Sequence, residues 1–78
     1  MIVVPFVFDK HEIEDSGPIV CLHKIHTQMQ FPWLEFLFEH VENIEYSKNY
    51  SYETMLYNVK FRFYLPPEIE TMYHLKYN

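Results

Sequence analysis

Hydrophobic and polar residues alternate one by one from Glu53 to Leu65. Met55, Tyr57, Val59, Phe61, Phe63 and Leu65 fall on one side, against Thr54, Leu56, Asn58, Lys60, Arg62 and Tyr64 on the other. A period of two over this length predicts a β-strand with one buried and one more polar face, because successive side chains of an extended chain point to opposite sides. Pro66 and Pro67 end it. A second strand is expected at Ile2 to Phe8, which is rich in β-branched and aromatic residues. Pro5 within it has no N–H to give to a ladder, so the strand belongs at a sheet edge or carries a bulge.

The pattern changes period after residue 31. Trp33, Leu34, Leu37, Val41 and Ile44 recur at three-to-four spacing, which predicts an amphipathic helix from Pro32 to about Glu45. Pro32 suits its first position, where a missing N–H costs nothing. Phe36 and Phe38 flank the apolar stripe as outer residues, and Glu35, Glu39 and Glu42 line the opposite side.

Between these elements the pattern is weaker. Residues 9–18 carry Asp9, Glu12, Glu14 and Asp15 and end in a Ser-Gly-Pro breaker, so they read as a solvated connection. Residues 19–27 fit two periods. As a strand, Ile19, Cys21, His23 and Ile25 share a face; as a helix, Ile19, Leu22, Ile25 and Met29 form a stripe, with Ser16 as N-cap ahead of Pro18. The β-branched residues favour strand. Residues 48–51 read as a loop, and the tail from Glu68 allows either a short helix or a strand.

The elements together predict an α+β fold: one domain, residues 1–78, with a small, mostly antiparallel sheet and the 32–45 helix packed on one face. A chain of 78 residues is near the lower limit for folding alone, and small domains need a staple, a partner or an unusually good core. Cys21 is the only cysteine, so no disulfide supplies the staple. Large apolar side chains are in surplus: seven Phe, seven Tyr and Trp33, with no Ala and one Gly. So small an interior is expected to leave some of these rings at an interface, where Tyr and Trp are favoured. A two-fold dimer is the simplest outcome, using a sheet edge, the Tyr46–Tyr50–Tyr52 cluster, or Phe36 and Phe38.

The apolar start, MIVVPFVF, lacks a basic leader and reaches Asp9 too soon for a signal sequence or a membrane span. With one thiol, this points to a cytoplasmic protein. The abundance of residues with AT-rich codons and the scarcity of Ala, Gly and Arg, two residues in all, suit an AT-rich genome such as a phage's.

Candidate chemistry is concentrated in PIVCLHKIH, residues 18–26. A zinc site needs three or four ligands converging on one point at about 2.0 to 2.3 Å. In a strand, Cys21 and His23 point away from His26; in a helix, His23 and His26 share a face that Cys21 leaves. Neither form gathers all three, and neither His11, His40 nor His74 is marked as a fourth ligand, so no metal or other cofactor is expected. Cys21 beside His23 is not by itself an activated thiol. With one glycine there is no phosphate-cradling loop either. No catalytic residue is assigned, and the chain reads as non-enzymatic.

Charge bears on partners. Lys60, Arg62 and Tyr64 share a strand face that could meet nucleic acid, but the glycines of an RNA-stacking motif are missing. A net charge of −5 also repels phosphate. The acidic helix stripe of Glu35, Glu39 and Glu42 would instead complement a basic protein, speeding encounter and setting specificity. The leading reading is a small protein-binding module, such as a phage-encoded inhibitor that occludes a host protein through an acidic and aromatic surface: Glu35, Glu39, Glu42, Phe36, Phe38, Tyr46, Tyr50 and Tyr52. The rival readings are a nucleic-acid or metal-binding regulator and a structural subunit of a larger assembly.

Overall fold

In a computed structural model that describes residues 1–77, the chain runs β1 (Ile2–Asp9), α1 (Lys10–Ser16), α2 (Pro18–Met29), α3 (Pro32–His40), β2 (Asn43–Ser51), β3 (Leu56–Tyr64) and α4 (Pro67–Tyr77). The strands make one antiparallel sheet in the order β1-β3-β2. The fold is α+β, as the period-two and period-3.6 segments require. The strongly alternating β3 takes the centre. β1 lies at an edge with Pro5 opposite Lys60, the place where a residue without an N–H does no harm.

Alternation then decides the core. Ile2, Val4 and Phe8 of β1 and Val59, Phe61 and Phe63 of β3 are buried on one face. Ile13, Cys21, Leu22, Leu34 and Leu37 cover them from α1, α2 and α3. Each fully buried Leu or Phe contributes about 1.5 to 3 kcal/mol by leaving water. The opposite sheet face is open, with Val3 and Val7 exposed, Arg62 opposite Val3 and Lys60 opposite Pro5.

The phenylalanines are accommodated inside, and the rings that the small interior leaves over are tyrosines. Phe8, Phe36, Phe61 and Phe63 are buried, and Phe6, Phe31, Phe38 and Trp33 pack against the core. Trp33 stacks on Phe6 and on Phe31, with centroids 6.3 and 5.4 Å apart. The tyrosines, each with a hydroxyl to keep wet, are the rings left nearer the surface.

Three segments differ from the sequence reading. The 9–18 connection is mostly helix. The Asp9 carboxylate accepts from the His11 N–H at 2.8 Å and caps α1, which buries Ile13. Asp9 followed by Glu12 has the spacing of a capping box, a signal the acidic composition masked. Residues 19–27 are helix rather than strand. Gly17, at φ 83°, lets α1 break into α2, and Pro18 opens the new helix. The N-cap is therefore Gly17, not Ser16. Burial of Cys21 and Leu22 against the sheet outweighs the modest strand preference of β-branched residues.

The third difference is α3, which stops at His40 instead of continuing to Glu45. Val41 turns extended, at φ −67° and ψ 135°, and the Glu42 N–H donates to the Tyr64 carbonyl at 2.9 Å. Residues 43–51, including the expected loop 48–51, then form β2. Central strand β3 needs a second partner for its backbone groups, and this demand overrides the helical spacing of Val41 and Ile44. β3 itself begins at Leu56, because Tyr52 to Met55 form the turn and Met55 donates its N–H to Ser51 at 2.8 Å.

The tail resolves as helix α4. It buries no residue fully and packs on α3 through Tyr73 and Tyr77, which meet Phe36 at 6.1 and 5.8 Å. An ion pair from the Met1 ammonium to the Glu70 carboxylate joins it to the start of β1.

Candidate functional site

The most prominent surface feature is a set of tyrosines on β2 and the adjoining turn. The register places Ile44, Tyr46, Lys48 and Tyr50 opposite Phe63, Phe61, Val59 and Tyr57, so these β2 residues share the helix-covered face of the sheet. The helices cover them only in part: Ile44 packs against the core and Lys10 of α1 reaches Tyr50, while Tyr46 and Lys48 between them stay exposed. Tyr46 is 41% exposed beside Phe61, and Tyr52 is 86% exposed. Tyr50 links the group, with its ring 5.0 Å from Tyr52 and 4.9 Å from Tyr57. Lys10 lies over the Tyr50 ring and Lys48 over Tyr57, both at 5.7 Å. These are cation–π contacts on rings that keep a polar edge in water. Tyr50 and Tyr52 are thus in contact, whereas Tyr46 shares their face of β2 four residues away and touches Phe61. Tyr57, assigned from the sequence only to the strand's buried face, completes the group.

The other expected partner-binding residues separate. Glu35 and Glu39 are exposed on α3, one turn apart. Glu42 lies beyond the helix end, so the three-residue acidic stripe is reduced to two. Phe36 is no outer residue: it is 9% exposed, enclosed by His40, Tyr73 and Tyr77. Phe38 is half-buried, edge-on to Phe63 and flanked by His23 and His26 at 4.9 and 4.6 Å. The early end of α3 and the docking of α4, neither marked by periodicity, account for these shifts.

The basic strand face is formed as expected, with Lys60, Arg62 and Tyr64 on the open side of the sheet. Arg62 is already engaged: Nη2 lies 3.7 Å from Glu45 Oε2, and Nη1 donates to Ser47 Oγ at 3.4 Å. A carboxylate beside the only arginine lowers the attraction of this face for phosphate.

The Cys-His stretch takes its helical form. His23 and His26 share the side of α2 that meets Phe38, while Cys21 is buried and its thiol donates to the Glu12 carbonyl at 3.5 Å. Burial, and then the Glu12 carboxylate, raise the thiol pKa, with Lys24 opposing weakly. The neutral thiol, a poor nucleophile and metal ligand, is thereby favoured. Among the described residues no three His, Cys, Asp or Glu side chains are grouped to hold a metal ion, and no helix is long and apolar enough to cross a membrane.

Two grooves flank the β1 side of the molecule. One, of about 520 Å³, lies between Val7 and Phe8 of β1 and the Cys21, Lys24 and Gln28 side of α2. The other, of about 390 Å³, runs along residues 3–6 and is walled by Trp33, Tyr73 and Tyr77. Burial raises the Tyr73 pKa, with neighbouring Tyr77 adding to the effect, so its hydroxyl stays protonated to higher pH. Compared with known proteins, the chain matches no family model, no curated protein and no solved structure.

Proposed function

We propose that this chain is a non-enzymatic protein-binding module whose contact surface is the tyrosine group of β2 and its turn: Tyr46, Tyr50, Tyr52 and Tyr57. The observation that carries the reading is the exposure of Tyr46 and Tyr52 in a protein that packs every phenylalanine inside or against its core. Tyrosine combines a rigid ring with a polar tip and is enriched where one protein covers another. Glu35 and Glu39 add a smaller acidic surface that favours a basic partner. The module works by covering a surface of its partner, as an inhibitor does, and the AT-rich residue usage is in keeping with a phage-encoded protein acting on a host target in the cytoplasm.

The test is retention of partners from source-cell lysate on immobilised protein, wild type against Tyr52→Ala and Glu39→Gln. The reading expects a discrete protein set that Tyr52→Ala loses and Glu39→Gln reduces, most strongly at low salt. A set retained equally by all three proteins rejects this surface. Binding of a small-molecule substrate with turnover would replace the reading with an enzymatic one.

A further inference from the structure

The two edges of the sheet are not equivalent. β1 carries Pro5, which removes a donor, and lies beside the groove walled by Trp33, Tyr73 and Tyr77. β2 is nine residues long, contains neither Gly nor Pro, and among the described residues has no further strand beside it. Such an edge offers unpaired N–H and C=O groups to another strand.

The direction of those groups follows from Pro5. It faces Lys60 and cannot donate, so the Lys60 backbone turns the other way, towards Ser47 of β2. Ser47 therefore spends its own groups on β3. By alternation, Ile44, Tyr46, Lys48 and Tyr50 direct theirs outward. The Met55 N–H bonded to the Ser51 carbonyl agrees with this phase, since Ser51 turns inward with Ser47.

Resting on the protein-binding reading, we infer that the first occupant of this edge is a second copy of the chain. Two β2 strands pair antiparallel about a two-fold axis at Ser47 and join two three-stranded sheets into one of six. In this register each Tyr46 faces the other copy's Lys48, each Ile44 faces Tyr50, and each Glu45 faces Asn49. Charge selects it. Shifting by one pair in one direction sets Lys48 against Lys48, a like-charge contact that destabilises. Shifting in the other sets Lys48 against Ile44 and forfeits both ammonium–ring contacts. A lysine on the same face as the core on an edge strand ordinarily deters pairing; here Lys48 already lies over Tyr57 of its own chain, and the symmetry sets a second ring beside it. The two tyrosine groups then merge into one longer surface across the axis, available to a foreign partner.

Sedimentation equilibrium over a tenfold concentration range, with charge-swapped variants, tests the pairing and its register. Wild type is expected to move from 9.7 kDa towards twice that mass as concentration rises. Tyr46→Lys sets like charges across the axis and weakens dimerisation at least about tenfold, a 1.4 kcal/mol effect. The double variant Tyr46→Lys/Lys48→Glu places opposite charges in both symmetric pairs and restores it. Both positions are exposed, and circular dichroism checks that each variant folds. A wild type that stays at 9.7 kDa overturns the inference while leaving the lysate-binding result to judge the module reading on its own. A dimer that the double variant fails to restore overturns the register.

Discussion

Phe38 meets Phe63 edge-on, with ring centroids 5.8 Å apart and planes at 89°. This contact joins α3 to the central strand, and the imidazoles of His23 and His26 pack against the same ring, 4.9 and 4.6 Å away. One side chain thus ties α2, α3 and β3 together. The histidines that drew attention as candidate ligands serve as packing surface around it.

Replacing that ring should unfasten all three elements at once. Phe38→Ala is expected to cost about 2 to 3 kcal/mol, somewhat below the range for a fully buried phenylalanine because the ring is half-buried. Urea unfolding followed by the fluorescence of Trp33, the only tryptophan, measures it. A loss below about 0.5 kcal/mol, the size of an ordinary surface change, would show that the contact is dispensable.

Cys21 gives the protein an alkaline sensitivity. Its native pKa is raised, so the unfolded chain loses the thiol proton first as pH climbs. The stability tied to the neutral thiol is complete below the unfolded value of about 8.5 and is lost as pH rises through the higher native value. Denaturation midpoints are expected to fall above about pH 8.5, and Cys21→Ala to flatten part of that slope. Tyr73, also raised, sustains decline at still higher pH. An unchanged slope in Cys21→Ala would refute the assignment.

Two side-chain-bearing residues occupy left-handed backbone: Gln30 at φ 52°, ending α2, and Met55 at φ 59°, in the β2–β3 turn. Both are exposed, so glycine there relieves strain with little lost packing. Gln30→Gly and Met55→Gly are each expected to stabilise by about 0.5 to 1 kcal/mol. Scanning calorimetry should register a rise of a few degrees for each, roughly 4 to 8 °C per kcal/mol in a domain of this size. A fall in midpoint for either would contradict the strain.

The open sheet face is expected to hold nucleic acid poorly. With a net charge of −5 and Glu45 beside Arg62, labelled single-stranded RNA should show no saturable polarisation change below about 1 µM near physiological salt. Tight binding that weakens with added salt and disappears in Lys60→Ala would reverse this.

Local regularities were sufficient for part of the structure. The strict alternation of β3, the edge position of β1 signalled by Pro5, and the start of α3 at Pro32 all rest on periods and backbone chemistry that short segments carry by themselves. The opposite faces of His23–His26 and Cys21 were likewise implied once residues 18–29 became helical. Tertiary structure decided the rest. Val41 and Ile44 fit a helix, yet β3 required a second strand for its backbone groups, so α3 stopped at His40 and Glu42 left the acidic stripe. Phe36 became internal because α4, whose own pattern was ambiguous, docked on it. Tyr46 stayed exposed although it shares a face with the core, because the helices leave the middle of β2 open. Periodicity assigns a residue to a side of its own segment; only the packed molecule determines what covers that side.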